Sequence, residues 1–196
     1  MYVVLKMSAE LTKYYRAIGV YDVNINSLPK KSLESLIDTI NGKNVVISSD
    51  IYLPLAYHYD ANAEYHLALK FYTLYIKTNK NGAVYNKIGT LYYKNGKYDD
   101  AKFFYSLGCD LGDISSICNM GNVYFREKNY EFAKKYYSIG ANLGSHDAVS
   151  NLGKVYEKEG NFDMALKHYA AASEHGNLVA KKKLEILKSI LKNFDY

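Results

Sequence analysis

The sequence predicts an all-α protein: a right-handed α-solenoid of helix-turn-helix repeats with helical caps at both ends. Two observations carry this prediction. Proline occurs only twice in 196 residues, so nearly the whole chain is free to be helical. A block of glycine, alanine and aromatic residues also recurs at a constant interval, which is typical of stacked helical units.

The repeat interval is 32 residues, and five columns of residues keep it through three units. The columns are Gly89, Gly121 and Gly153; Tyr92, Tyr124 and Tyr156; Tyr98, Tyr130 and Phe162; Ala101, Ala133 and Ala165; and Tyr105, Tyr137 and Tyr169. A fourth, more divergent copy lies upstream, with Ala56 in the glycine column and one extra residue near 80–82. Its other column residues are Tyr59, Tyr65, Ala68 and Tyr72.

Each unit is predicted to form two helices joined by a turn rich in Lys, Asn and Gly. Apolar residues before the turn follow helical spacing, and an aromatic–Ala–Tyr–small stripe follows it. Gly96 and Gly160 suit the left-handed end of the first helix. Asn129 and Asn161 suit the N-cap of the second helix. No unit can bury both of its faces alone, so stacked neighbours create the core.

The columns also set the predicted domain boundaries. We expect an N-terminal helical cap over 1–47, four repeats over 48–180 and a C-terminal capping helix over 178–196. The repeats are placed at about 48–81, 82–113, 114–145 and 146–177. On the terminal helix, Lys182, Lys188 and Lys192 are expected to face solvent and supply the polar outer surface that ends a solenoid.

The junction ANLGSHDAVSNLGKVY places Gly144, Ala148, Leu152, Gly153 and Tyr156 in a pattern that resembles Sel1-like repeats, part of the tetratricopeptide-like superfamily. The resemblance covers about 48–180. The loop between the two helices of each unit is shorter than is usual for Sel1-like repeats and has tetratricopeptide-like length. The resemblance implies a protein–protein adaptor with no catalytic residues to transfer.

The residues give no sign of catalysis. Cys109 and Cys118 are expected to be core thiols, and the five histidines are expected at the surface without a metal-binding pair. No glycine-rich phosphate loop follows a strand-like segment. The sequence therefore predicts no enzyme, no catalytic residue, no metal, no cofactor and no small-molecule substrate.

The bulk composition indicates a compartment. The formal net charge of +5 is only mildly basic, and the sequence contains no signal peptide and no apolar run long enough to cross a membrane. We expect a cytoplasmic protein without membrane insertion. The abundance of Tyr, Lys, Asn and Ile is typical of AT-rich coding and indicates a large-DNA virus or an intracellular microbe, in which case the compartment is the host cytoplasm.

The leading functional hypothesis is a scaffold that binds a protein or peptide segment. By the resemblance to tetratricopeptide arrays, the binding surface is the concave face of the first helices, one and four positions after the glycine, with flanking cations. These residues are Tyr57, Asp60, Thr90, Tyr93, Asn122, Phe125, Arg126, Lys154, Glu157 and Lys158. The mixed set favours a helix or extended segment with apolar anchors and mixed charges.

Three alternatives stay open. The protein could be a structural subunit that assembles with itself, although a monomer or weak homodimer is expected. Tyrosines beside lysines could stack the bases of single-stranded RNA. This is disfavoured because half of the 22 tyrosines fall in the repeat columns. Asn119 and Asn151 either contact a bound peptide or support the repeat, and the supporting role is favoured.

Overall fold

The computed structural model describes residues 52–194, so the predicted N-terminal cap over 1–47 lies outside the described residues. Within these residues the secondary structure consists of helices joined by short turns, with no strand. The helices are α1 (Tyr52–Ala61), α2 (Tyr65–Ile76), α3 (Gly82–Lys94), α4 (Tyr98–Asp110), α5 (Ile114–Arg126), α6 (Tyr130–Asn142), α7 (His146–Lys158), α8 (Phe162–Glu174) and α9 (Leu178–Phe194). The predicted all-α, solenoid-type class is confirmed.

The chain divides into two compact units, Met1–Lys80 and Asn81–Tyr196. In the first unit, α1 and α2 pack against each other around a buried aromatic pair. The rings of Tyr59 and Phe71 stack with centroids 5.6 Å apart. Ala56, which replaces the glycine of the other copies, is fully buried. The divergent copy is therefore a helix pair like the others.

In the second unit, α3, α5 and α7 are the first helices of three repeats and α4, α6 and α8 are their second helices. Each first helix packs against its own second helix, and α5 and α7 also pack against the second helix of the preceding repeat. First helices of adjacent repeats also contact each other directly, whereas second helices have no comparably extensive contact within the described residues. The first helices thus line the inner side of this unit.

Helix ends follow the predicted chemistry. The side chains of Asn129 and Asn161 accept hydrogen bonds from backbone N–H groups three residues on and cap the second helices. Gly96 and Gly160 have φ values of +74° and +77°, in the left-handed region that glycine adopts without strain. Lys128 occupies the matching place with φ +60°.

Small residues let the helices of a repeat approach closely. A Cβ atom on Gly89, Gly121 or Gly153 would lie within 2.9 Å of the ring of Tyr105, Tyr137 or Tyr169 respectively. The glycine column therefore exists because the tyrosine ring of the second helix packs directly against the backbone of the first helix. These three tyrosines are almost completely buried, so their ring faces are not available to stack bases.

A second small column joins consecutive repeats. Gly140 packs against Cys118 and Ala148, so a Cβ atom on it would lie 2.8 Å from the sulfur of Cys118. In the preceding repeat Gly108 packs against Ser116, which is fully buried and donates its hydroxyl to Asp113. Ser116 stands where the next repeat has Ala148, and its hydrogen bond to Asp113 satisfies the hydroxyl that this replacement buries.

Lysines on the second helices also link adjacent repeats. Lys102 Nζ lies 2.8 Å from Glu127 Oε1 and 5.8 Å from the centre of the Tyr124 ring. Lys134 repeats the arrangement one unit later with Glu159 at 3.0 Å. In the last repeat the lysine column holds Leu166, which packs against the cluster that contains residues of α9. Between α8 and α9, apolar packing of Leu166 thus takes the place of the lysine–glutamate pair found between the earlier repeats.

The aromatic column at the start of the second helices is only partly buried, since Tyr65 and Phe162 are 38% and 41% exposed. Both residues occupy the first position of their helices. The ring of Phe162 therefore gains only partial burial.

Candidate functional site

The predicted binding residues of the second unit lie together on the first helices, on a surface that we call the first-helix face. Its members are Thr90 and Tyr93 on α3, Asn122, Phe125 and Arg126 on α5, and Lys154, Glu157 and Lys158 on α7. Tyr57 and Asp60 lie on α1, in the other compact unit.

The buried tyrosines extend beneath this face and place their hydroxyl groups on it. Tyr137 donates to Asn122 Oδ1 at 2.7 Å, and Tyr169 donates to Glu157 Oε2 at 2.6 Å. The bond of Tyr105 to Thr90 Oγ1 is longer, at 3.3 Å. The same residue that fills the space beside the glycine therefore also fixes a side chain of the candidate site.

A ladder of asparagine amides runs along the face from repeat to repeat. Asn119 Nδ2 donates to Asn86 Oδ1 at 2.8 Å, and Asn122 Nδ2 donates to Asn119 Oδ1 at 3.0 Å. Asn151 Nδ2 then donates to Asn122 Oδ1 at 3.4 Å, and Asn151 Oδ1 accepts from Lys154 Nζ at 3.1 Å. These bonds join α3, α5 and α7, which supports the structural role expected of Asn119 and Asn151.

Aromatic rings and cations alternate along the same surface. The guanidinium of Arg126 lies 5.9 Å from the centre of the Tyr93 ring and 5.1 Å from that of Tyr98. One repeat later, Lys154 Nζ lies 5.9 Å from the centre of the Phe125 ring. In both cases a cation of one repeat covers the aromatic residue of the repeat before it, in the range of a cation–π contact.

Cations outnumber acids at the C-terminal part of the face. Glu157 accepts hydrogen bonds from Tyr169 and from Lys183 Nζ, the latter at 3.4 Å. Burial, followed by the nearby charge of Lys183, lowers the pKa of Lys154 below its usual value. Neither Lys154 nor Lys158 forms a salt bridge with any of the described residues. A carboxylate of a partner would relieve the repulsion between the ammonium groups of Lys154 and Lys183.

In the first unit, the two predicted residues of α1 lie beside the buried tyrosine of α2. Tyr72 donates to Asp60 Oδ2 at 3.3 Å, and the ring of Tyr57 meets that of Tyr72 edge-on with centroids 5.7 Å apart. Tyr57 is 42% exposed. The arrangement matches that of Tyr169 with Glu157, since in both copies the tyrosine reaches the acid four positions after the glycine column.

The two cysteines of the described residues are not activated thiols. Burial raises the pKa of the Cys109 thiol to about 11 and also raises that of Cys118, so both sulfurs stay protonated near neutral pH. Both side chains are only half-buried, less than expected of core thiols. Within the described part of the chain no cluster of three His, Cys, Asp or Glu side chains could hold a metal ion. No helix there is both long and apolar enough to span a bilayer.

The sequence analysis missed the contribution of α9, because it did not predict Lys183, Ile186 or Ile190 near the site. The repeat spacing contained this information. These residues lie 32 positions after Asn151 of the ladder and after Lys154 and Lys158 of the face. The signal was weak because Glu185 stands where the other units have glycine.

Two stretches of the chain match models of the tetratricopeptide repeat, at residues 82–111 and 148–178. The second stretch begins in the first helix of the last repeat and ends at α9. These matches confirm the predicted resemblance to tetratricopeptide repeats over the two stretches. No curated protein matches the sequence.

Solved structures share the fold. A structure of the MamA protein is 20% identical, with a TM-score of 0.60 over 72% of this chain and 81% of that one. PilF of Pseudomonas aeruginosa is 18% identical, with a TM-score of 0.66 over 95% of this chain and 83% of that one. The structure of the APC/C hetero-tetramer Cut9–Hcn1 gives 16% identity and a TM-score of 0.62, over 71% of this chain and 30% of that one. At these identities the likeness concerns the fold.

Proposed function

We propose that this protein is a non-catalytic scaffold that holds a segment of a partner protein on the first-helix face. The observation that carries the proposal is the alternation of aromatic and cationic side chains on adjacent first helices, above a hydrogen-bonded ladder. Rings such as Tyr93 and Phe125 supply apolar contact area with little loss of conformational entropy, and Arg126 and Lys154 supply charge.

The ladder favours binding because it holds the surface in one shape. A surface whose side chains are fixed before binding loses less entropy when a partner docks. Asn122 illustrates this, since it accepts from Tyr137 and Asn151 and donates to Asn119. The tetratricopeptide repeat is in general a protein-binding module, and the Cut9 relative is itself part of a hetero-tetramer.

The proposal includes the type of repeat, the compartment and the oligomeric state. We place the repeats in the Sel1-like branch because Gly144, Ala148 and Gly153 keep its spacing. We expect a cytoplasmic monomer or weak homodimer that acts as an adaptor. Light scattering separates this from a self-assembling structural subunit, which would give a mass several times that of one chain.

Affinity capture from the native cell extract tests the proposal. We expect Lys154→Glu combined with Lys158→Glu to reduce the amount of captured partner strongly, because both charges lie on the face. The matched control is Lys181→Glu combined with Lys188→Glu, which changes the same charge at exposed positions of α9. If the wild type and both double variants capture equal amounts of partner, with melting temperatures unchanged, the face is not the binding surface.

A further inference from the structure

The terminal helix α9 occupies the place of a first helix. Ala180, Leu184 and Leu187 lie 32 residues after Ala148, Leu152 and Val155 of α7. The α7 set packs against Ala133 and Tyr137 of the preceding second helix, α6. The α9 set packs in the same way against Ala165, Tyr169 and Ala172 of α8. The fold thus begins a further repeat at Leu178.

The side of α9 that would meet a second helix of its own is charged. In α7 this side carries Val149, Gly153 and Tyr156, which pack against α8. The corresponding residues of α9 are Lys181, Glu185 and Lys188, and all three are exposed. Burying three charges without designed partners is costly, so this side does not suit a packed helix. These three residues form a polar end surface, and Lys188 among them is one of the lysines that the sequence predicts to face solvent.

The side of α9 that continues the first-helix face is apolar instead. Ile186 and Ile190 occupy the columns of Lys154 and Lys158, and they are 46% and 45% exposed. They lie one turn apart on the same side of the helix. Solubility does not explain this choice, because the neighbouring end surface of the same helix uses lysines. Two isoleucines where the three repeats of the second unit carry polar or charged residues indicate a contact.

Lysines occupy neighbouring positions of the same face. Lys154, Lys158 and Lys183 lie on the same side of α7 and α9, and the nearby acid, Glu157, already accepts from Tyr169 and Lys183. A partner at this end of the face therefore gains from negative charge and from apolar side chains together.

We infer that the first-helix face continues onto α9, and that it binds an acidic segment of a partner protein whose apolar side chains pack on Ile186 and Ile190. Carboxylates of that segment pair with Lys154 and Lys158. The inference rests on the proposed function and names the partner's chemistry. Single-stranded RNA would use the lysines but has little use for aliphatic side chains, since bases stack on aromatic rings.

The test uses the full-length protein and a displayed library of random peptides as the probe. We expect the enriched peptides to be rich in Asp and Glu and to carry Leu, Ile or Phe. For the enriched peptides made synthetically, Ile186→Ser combined with Ile190→Ser should weaken binding by about tenfold or more. Lys154→Glu combined with Lys158→Glu should do the same. The control pair, Lys181→Glu with Lys188→Glu, should leave affinity within about twofold.

The outcomes separate this inference from the proposed function. Peptides that bind, respond to the charge reversal at 154 and 158 and ignore the isoleucine changes would overturn the inference and leave the proposed function standing. Enrichment of basic peptides would overturn it too. A library that yields no binder, or binders that ignore every variant, would count against both. A homodimer that the isoleucine changes convert to a monomer would make a second copy the occupant and refute the acidic partner.

Discussion

A Cβ atom on Gly121 would lie 2.6 Å from Cε1 of Tyr137, closer than real Cβ atoms approach another carbon. Both residues are buried, and the ring belongs to the second helix of the same repeat. Gly121→Ala should therefore destabilise the protein by about 1–3 kcal/mol through overpacking, although alanine favours helix in the absence of the ring. Chemical denaturation measures the change in the free energy of unfolding.

A double-mutant cycle identifies the cause. In a Tyr137→Leu background the ring is gone, and Gly121→Ala should then cost much less or become stabilising, because only the helix preference of alanine remains. If the cost of Gly121→Ala is the same in both backgrounds, the ring contact does not explain the glycine column.

The hydroxyl groups of the tyrosine column make a second prediction, because their bonds differ in length. Tyr137→Phe removes a 2.7 Å bond to Asn122, and Tyr105→Phe removes a 3.3 Å bond to Thr90. We expect Tyr137→Phe to cost about 1 kcal/mol of unfolding free energy and Tyr105→Phe clearly less. Thermal or urea unfolding of the two variants checks the order. A larger loss for Tyr105→Phe would contradict it.

The turns between the helices of a repeat provide a third prediction. Lys128 adopts a φ of +60° at the position where the neighbouring repeats carry Gly96 and Gly160. A left-handed conformation is unfavourable for residues with a Cβ atom, so Lys128→Gly should stabilise the protein by up to about 1 kcal/mol. The reciprocal control, Gly160→Ala, should destabilise it by about the same amount. A drop in melting temperature for Lys128→Gly would show that the lysine side chain makes a compensating contact.

The repeat columns made most of this fold predictable from the sequence. The glycine–tyrosine contact follows from two residue types kept at one spacing in all three repeats of the second unit, and the asparagine caps and left-handed glycines follow in the same way in two of the three. The polar contacts of the face were not predictable in the same way, because the tyrosine hydroxyl pairs in two different ways. Tyr137 reaches Asn122, one position after the glycine, as Tyr105 does with Thr90. Tyr169 instead reaches Glu157, four positions after the glycine.

The role of α9 was only half predictable for a related reason. Its buried residues keep the repeat spacing, but Glu185 removes the glycine by which a first helix is recognised. Without that marker the exposed lysines indicate a simple polar cap. Only the packing of Ala180 and Leu187 on α8 sets the rotation of the helix and shows that Ile186 and Ile190 lie on its other exposed side.

The fourth prediction concerns pH. The ring of His168 stacks on that of Tyr156 with centroids 5.3 Å apart, and it is half-buried rather than at the surface as expected. Burial, followed by the charge of Lys167, lowers the pKa of His168 below its ordinary value of 6.5. The unfolded chain therefore takes up this proton at a higher pH than the folded protein does. Protonation thus favours unfolding, and stability is lost as the pH falls through 6.5 towards the folded-state pKa.

His168→Phe isolates this contribution, since phenylalanine keeps an aromatic ring against Tyr156 but cannot titrate. The melting temperature of the wild type should fall more than that of His168→Phe between about pH 7.5 and about pH 5.5, and the two should change in parallel at higher pH. Carboxylates and the other histidines contribute equally to both proteins, so the difference between the two profiles reports His168 alone. Profiles that stay parallel across the acidic range would mean that folding does not change the proton affinity of His168.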